Sequence, residues 1–456
     1  MKIRNFTKIV KKTTSIMAII FILLQTIMPI VSTVKAAERP DNIRVVTDKA
    51  EKNVLLGTTS EKARAENILG LASKFSLFTK ENITLTGSDA EGKIASGGTI
   101  TASTSYPYEA GTEVQGETEA KIIAQDGING NFDLTQTKHT TTTNKSYEPT
   151  KKIAAIGINA NKMIWSNYST SQQNQIVASD LIDFDEEFKY LQNQSNYLAG
   201  LDTKGKIIKC FTFGRNQESK EEHRWMGKAV VFSGSNKNLN VFTMTISEFN
   251  NMFKTFPKTV TTLSGEAPIQ ETQNIFLDVP SGSKIIINII GEGTVKLPDE
   301  GFHNRSSVCL YCLADEEELK RDTTFEDAKG ELLYAVYENK ILKDESGNVK
   351  TFINKTYNDD SDKYNYNRYD YGNLLYNMPQ AKAFSITGTM NGSILAPRAT
   401  GTDNSYGYVH GTIACNSYSG GIQFGYEPNK IELENYFDVK INKIDTTTKK
   451  NIKNVT

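Results

Sequence analysis

The residues that could do chemistry in this 456-residue chain are few and scattered. Cys309 and Cys312 are spaced as Cys-x-x-Cys, the arrangement of thiolates that hold zinc or exchange disulfides. No second pair stands at zinc spacing and His303 is the only histidine near them, so no metal site is expected. On a strand, side chains three positions apart also face opposite ways. Cys210, after Lys209, and Cys415, after Ile413-Ala414, read as small buried hydrophobes. Asp359, Asp360 and Asp362 could take calcium, but their spacing lacks the glycine and closing glutamate of a calcium loop. The same stretch holds Tyr364, Tyr366, Tyr369 and Tyr371, whose rings suit stacking on sugars or packing against a protein partner. This tyrosine-rich loop is the first candidate ligand-binding surface, and the threonine-rich loop Thr140 to Tyr147 the second.

Catalytic signatures are missing. The chain has no Gly-x-Ser-x-Gly elbow, no His-Glu-x-x-His helix and no P-loop, and its four histidines are dispersed. No catalytic residue and no cofactor is assigned, and the chain is read as a non-enzyme. Charge excludes a further class. Residues 1–36 carry six basic side chains and no acidic one, and without them 46 basic and 53 acidic residues remain, a net charge of −7. Such a surface repels nucleic acid. The first 36 residues have the form of a cleaved export signal: a basic start to Lys12, an apolar run from Ile16 to Ile30, and Val34-Lys35-Ala36 as a small-x-small site. The run is shorter than a membrane span and contains Gln25 and Pro29, so no stable span is expected after cleavage.

What must position these residues is mainly β. Between Leu69 and Ile100 short apolar bursts alternate with glycine corners, as at Ile83 and Leu85 before Gly87, and at Ile94-Ala95 before Gly97-Gly98. Ile-Ala-x-x-Gly recurs at Ile94, Ile123 and Ile153, and Gly-x-Ile at Gly392 and Gly411. This rhythm predicts a β-solenoid, β-helix-like, whose coils stack Ile94 on Ile123 on Ile153. Ser169 to Leu201 changes to helical period and predicts an amphipathic helix, or two end to end, capped by Ser169 or Thr170 and ended by Gly200, lying on the solenoid's flank or open end. Strands are expected at Ile207 to Phe213, Lys228 to Phe232, Asn240 to Ile246, Pro268 to Val279 and Lys284 to Ile290, with a short helix at Ser247 to Phe253. The run at Lys284 is apolar on both faces and should be the most buried, with Asn288 bonding backbone between coils. A doubly wound α/β sheet is disfavoured because strands do not alternate with helices of 10 to 15 residues.

Several ordered motifs carry a resemblance. Leu69-Gly70-x-Ala72-x-x-Phe75-x-x-Phe78 precedes Ser88-Asp89-x-Glu91-Gly92-x-Ile94-Ala95-x-Gly97-Gly98; later come Ile182-Asp183-Phe184, the run Ile285 to Gly291, Leu374 to Pro379 with Ala381, and Gly392 to Pro397. Together they resemble the choice-of-anchor A domain of bacterial surface proteins, which implies an extracellular, adhesin-like module of Gram-positive type and supplies no ligand or active site. Tyr436 to Thr456, with alternating Phe437, Val439 and Ile441, resembles the first strand of a Cna-type B repeat, an Ig-like or prealbumin-like β-sandwich. That resemblance implies Lys443 as an isopeptide donor, with its partner, the remaining repeat and a wall anchor expected beyond Thr456.

The expected organisation is thus a signal peptide at 1–36, an extended segment at 37–66, a solenoid domain at 67–430 with an insertion at about 302–371, and a linker with the start of a repeat at 431–456. The function expected is that of a secreted, cell-wall-associated adhesin or display module that binds an extracellular matrix protein or a glycan. A polysaccharide-active β-helix enzyme is the alternative, needing acids projected from neighbouring coils. Ice binding is the third reading, resting on the short ladder Thr99, Thr101 and Thr104, which is not repeated at Gln125 to Asn129 or at Ala155 to Asn159.

Overall fold

The computed structural model describes residues 38–432, apart from 88, 115–117, 135–152, 216–221, 255, 257, 263–264, 281, 299–308, 313–329, 338–339, 349, 356–370 and 406. The fold is mainly β with few helices. A 16-stranded sheet pairs in parallel throughout, and its strands fall into two rows. A three-stranded parallel sheet, Met390–Asn391, Tyr408–His410 and Gln423–Phe424, forms a third row, which parallel bridges continue from Phe424 to Ala90 and from Ala90 to Ala110.

The first row is made by two runs of chain that meet in its middle. Starting from Leu77–Thr79, successive neighbours are Ile94–Ser96, Ala120–Ala124, Ile153–Ile156, Ile176–Ala178 and Arg44–Val45. On the other side of Leu77–Thr79 the chain arrives from the opposite end of the molecule. Leu239–Thr245, Lys284–Ile290, Leu374–Asn377 and the first residues of Ser393–Asp403 and Ile413–Gly420 line up in turn, so Ile413 pairs with Leu77. Both faces of this row are buried. Leu77, Ile94, Ile122 and Ala154 face the main core, and Phe78, Ala95, Ile123 and Ala155 face a second apolar cluster outside.

The longest helix covers that outer cluster together with the buried residues Leu55, Leu56, Ala63, Leu71 and Ala72 of the N-terminal segment. Phe184–Ala199 is capped by Asp183, whose carboxylate accepts the Glu186 N–H at 3.0 Å, and its first turn carries Asp185, Glu186 and Glu187, favourable charges at a helix N-terminus. The rings of Phe184 and Phe188 stack on Phe78 at 5.3 and 5.5 Å. From Phe184 to Leu198 the helix advances by about 21 Å. That matches the four strand spacings, about 19 Å, between Leu77–Thr79 and Lys284–Ile290. The helix therefore crosses the strands and covers the row where its two runs meet. Its last carbonyls reach two buried asparagines. Asn288 donates to Leu198 O at 2.8 Å, Asn377 donates to Ser195 O at 2.9 Å and to Asn288 Oδ1 at 2.8 Å, and the Ser195 hydroxyl donates to Asn377 at 2.5 Å. Asn288 was expected to bond backbone between coils; it bonds a helix carbonyl instead, because an outward position in this row faces the helix.

Four other expectations are corrected. Residues 38–66 are not extended: Lys49–Leu56 and Ser60–Glu66 are helices capped by Asp48 and Thr59, and they bury only Leu55, Leu56 and Ala63, too few to show helical period. Ser169 to Leu201 is not one helical run, since Ile176–Ala178 between the short helix Thr170–Gln173 and the long one joins the first row. The strands Gly205–Arg215, Glu222–Gly234 and Gly265–Asp278 leave the parallel rows and form a mixed eight-stranded sheet with Thr259–Thr262, Cys309–Cys312, Gly330–Tyr337, Lys340–Ile341 and Thr351–Lys355. The insertion is thus larger than 302–371. Val230, Phe232, Ile275 and Leu277 of that sheet extend the main core past Phe242, so it caps one end of the rows. Finally, Ile94, Ile123 and Ile153 do not stack: Ile94 pairs with Ile122 and Ile122 with Ala154.

Candidate functional site

The second row differs from the first in leaving one face uncovered. Its strands are, in spatial order, Thr294–Leu297, Ala383–Ile386, the end of Ser393–Asp403, the end of Ile413–Gly420, Ile83–Leu85, Thr99–Ala102 and Gly127–Gly130. Alternate residues turn inward. Val295, Phe384, Gly401, Tyr418, Ile83, Ile100 and Ile128 form one continuous buried rank. Gly401 is required there, because a Cβ would stand 2.4 Å from the Phe384 ring and 2.7 Å from Tyr418. Asp403 closes the corner at the end of its strand, accepting from the Tyr418 hydroxyl at 2.6 Å and from the Gly421 and Ser405 N–H groups at 3.0 and 2.5 Å.

The residues between them point outward. Lys296, Ser385, Thr402, Ser419, Thr84, Thr101 and Asn129 stand in register across all seven strands. Beside this rank, Thr294, Ala383, Thr400 and Ser417 make a second on the first four strands, with Thr400 and Ser417 hydroxyls 3.0 Å apart. Thr294, Lys296, Thr400, Thr402 and Ser419 are exposed, and the others named are half-buried. Six strand spacings make the long rank about 29 Å, with hydroxyls on the strands between Lys296 and Asn129 repeating at about 4.8 Å. No carboxylate stands in either rank. Hydroxyls in such an array can each give and accept a hydrogen bond at a fixed repeat. The face is open and regular and forms no enclosure.

Both edges of this row are protected. At one end Asn250, at the close of the short helix Ile246–Asn250, donates to Thr294 O and accepts from Lys296 N, both at 2.9 Å. At the other, the Asn129 side chain donates to Lys162 O at 2.5 Å and accepts from Ile164 N at 2.9 Å. The Asn250 amide supplies the partners that a further strand would supply, and the Asn129 side chain ties residues 162–164 along the other edge; both blunt edge-to-edge pairing.

Of the residues singled out from the sequence, Tyr364, Tyr366, Tyr369, Lys443 and the loop Thr140 to Tyr147 lie outside the described residues. Tyr371 is half-buried at the corner between the first and third rows, 5.5 Å from the His410 ring. His410 is in turn 3.1 Å from the Glu427 carboxylate and 4.3 Å from the Tyr408 ring. Burial, then a hydrogen bond to Glu91, raises the Tyr408 phenol above its usual range. The cleft beside this cluster, lined by Phe75, Ser76, Thr412 and Tyr426, has no room for a water molecule. Cys210 and Cys415 are both buried, and burial pushes the Cys415 thiol up, which leaves it a poor nucleophile. Cys309–Cys312 is a strand paired in parallel with Asn274 to Leu277. Among the described residues no cluster of metal-ligating side chains occurs and no helix is long and apolar enough to cross a membrane.

Buried charge lies away from the outward ranks. Lys93 donates to Glu119 at 2.8 Å and to Leu56 O at 3.0 Å, and burial lowers its pKa against the pull of that carboxylate. Lys121, donating to Val114 O at 3.1 Å, is brought down to about 8 by burial.

The ladder Thr99, Thr101 and Thr104 is expected to end at the next coil, and on that side Thr101 does meet Asn129. On its other side it meets Thr84, then Ser419 and Thr402, which come from the far end of the chain. The signal for them was the alternation in Thr400-Gly401-Thr402 and Ser417-Tyr418-Ser419.

The architecture is that of a parallel-β domain with one bare outer face. The chain belongs to the family described as "Putative Ice-binding-like adhesive domain", matched over residues 68–339 and 329–426. This is an adhesin-like family, which sets the chain among extracellular or surface proteins of adhesin type. No curated protein matches it. Similar solved structures include two of LeIBP, an ice-binding protein from an Arctic yeast. The glycosylated form is 11% identical with a TM-score of 0.24, the other 12% identical with a TM-score of 0.26, and both comparisons cover 78% of this chain and 91% of that one. An ice-binding protein from an Antarctic biological consortium is 9% identical with a TM-score of 0.24, covering 78% of this chain and 88% of the other.

Proposed function

We propose that this chain is the adhesive head of a secreted, cell-wall-associated surface protein, and that it holds its ligand on the outward face of the second row. The in-register rank from Lys296 to Asn129 carries the reading, because a bare, repetitive polar face on a rigid parallel scaffold suits an extended ligand. On this view the three rows wind as one β-solenoid, the choice-of-anchor A motifs mark its coils, and the B-type repeat beginning near Asp438 holds the head away from the wall. The solenoid serves as scaffold, not as an enzyme. Cells displaying the full chain should adhere to a target surface, and the double variant Thr402→Val/Ser419→Ala should reduce adhesion while Asn193→Ala, on the exposed side of the long helix, leaves it unchanged. Equal adhesion by both variants would reject the second row as the docking face. Ice is a second reading favoured by the same threonine and serine rank; it requires thermal hysteresis by the purified chain that the double variant lowers.

A further inference from the structure

The chemistry of the outward face narrows its ligand, on the footing that the second row is the docking face. Three observations bear on the choice. Among the described residues the ranks hold no carboxylate, although the chain without residues 1–36 carries a net charge of −7. Acidic side chains are thus kept off a face of about 29 Å. Next, the rank is uniform in spacing and mixed in chemistry: serine and threonine hydroxyls, without and with a neighbouring methyl, fill its middle, with an ammonium group at Lys296 and an amide at Asn129 at its ends. Some hydroxyls are already engaged, Thr400 with Ser417 at 3.0 Å and Thr402 with Phe384 O at 3.3 Å. A crystalline lattice is matched by identical groups at identical heights, whereas a jointed polymer adjusts its torsions to unequal ones. Finally, the ranks contain no aromatic ring and no long apolar side chain, so a protein partner would find no anchor of the kind that dominates protein interfaces.

We infer that the second row binds a neutral polysaccharide, laid across the strands along the rank from Ser385 to Thr101, with one sugar unit to about one strand. An extended chain of linked pyranoses carries hydroxyls on both edges at a repeat close to the strand spacing. Each unengaged hydroxyl can then donate to one sugar oxygen and accept from another, and Thr402, which donates to Phe384 O, can accept. Lys296 meets the end of the bound segment, where its ammonium donates to sugar oxygens. Individual contacts are weak, and affinity comes from their number along the chain.

The test uses the full chain after removal of residues 1–36, with affinity electrophoresis and isothermal titration against dextran, amylose, xylan and mannan, and sedimentation with insoluble chitin and cellulose. At least one should bind with an affinity that rises with chain length and changes less than about threefold between 50 mM and 500 mM salt, since no net charge is neutralised. Thr402→Val/Ser419→Ala should weaken it about tenfold by removing two hydrogen-bonding groups, and Asn193→Ala should not change it. Circular dichroism and thermal melting confirm that the variants are folded. Failure of every polysaccharide to bind overturns the inference, as does binding that collapses with salt or binding to ice crystals alone. If cells of the parent still adhere to a protein target and the double variant does not, the polysaccharide is wrong while the docking face stands. If the double variant binds polysaccharide as the parent does, both fail together.

Discussion

The first and second rows are the same kind of structure put to different use. Each is a file of short parallel strands from both ends of the chain, and each buries its inner side in one core. They part on the outer side. The first row meets the long helix and presents Phe78, Ala95, Ile123, Leu395 and Ala414; the second meets solvent and presents Thr84, Thr101, Thr402 and Ser419. A strand buried on both faces reads as a continuous apolar run, and one with a wet face reads as alternation. Outer-face composition, not strand geometry, separates the covered row from the bare one.

That contrast is broken most strongly through the helix. Phe188 is fully buried against Phe78, and Phe188→Ala should cost about 3–5 kcal/mol, measured by urea unfolding. Truncating an outward second-row residue should cost a small fraction of that. Equal costs would mean that the second row is also a covered face. Next in size is Asn377→Ala, which leaves Ser195 O and Asn288 Oδ1 without the amide that reaches both and should cost about 2–3 kcal/mol. Asn377→Asp should be no better, since the lost groups are donors. A neutral result at either substitution would assign the helix's attachment to its apolar stripe alone.

Much of this contrast was legible before any coordinates. Lys284 to Ile290 read as the most buried strand because after Lys284 it is apolar at every position but Asn288, and Gly392 and Gly411 correctly put Ile394 beside Ile413. The Ile-Ala repeat misled for a physical reason. A one-residue slip exchanges the two faces of a strand, and in the first row both faces are apolar, so either register reads alike. Ile122-Ile123 lets Ile94 pair one residue earlier than the repeat suggests. The second-row rank was hidden by topology, since Thr84 and Ser419 are neighbours only because the last strands return to the first. Three strands of the eight-stranded sheet were found, but nothing local to Ile207 or Val230 says that their two strands pair antiparallel with each other. The N-terminal helices left only their caps, Asp48 and Thr59, in the sequence.

The edge of the second row offers a smaller effect with a different signature. Asn250→Ala removes both bonds to Thr294 and Lys296 and should cost about 1 kcal/mol. It also bares a strand edge. Light scattering should therefore show association that grows with protein concentration, which Phe188→Ala would not produce below its melting point. A monomeric Asn250→Ala variant would show that something other than the amide guards that edge.

The smallest expected effect is a pH dependence confined to the first-row side. Lys121 titrates near 8 in the folded chain and near 10.4 when unfolded, because burial disfavours its charged form. Between those values the unfolded chain binds more protons, so the destabilisation is fully present below about 8 and is relieved as pH rises toward about 10. Lys93, shifted in the same direction, adds to the trend. Melting temperature should rise by a few degrees from pH 7.5 to 9.5, and Lys121→Met should flatten the rise by stabilising the protein at the lower pH. Removing the Thr402 and Ser419 hydroxyls should leave the slope as it is, because no titrating group stands in the middle of the outward rank. A slope that follows the second row instead would put the pH-sensitive charge on the ligand face, and the neutrality from which a neutral ligand was inferred would be lost.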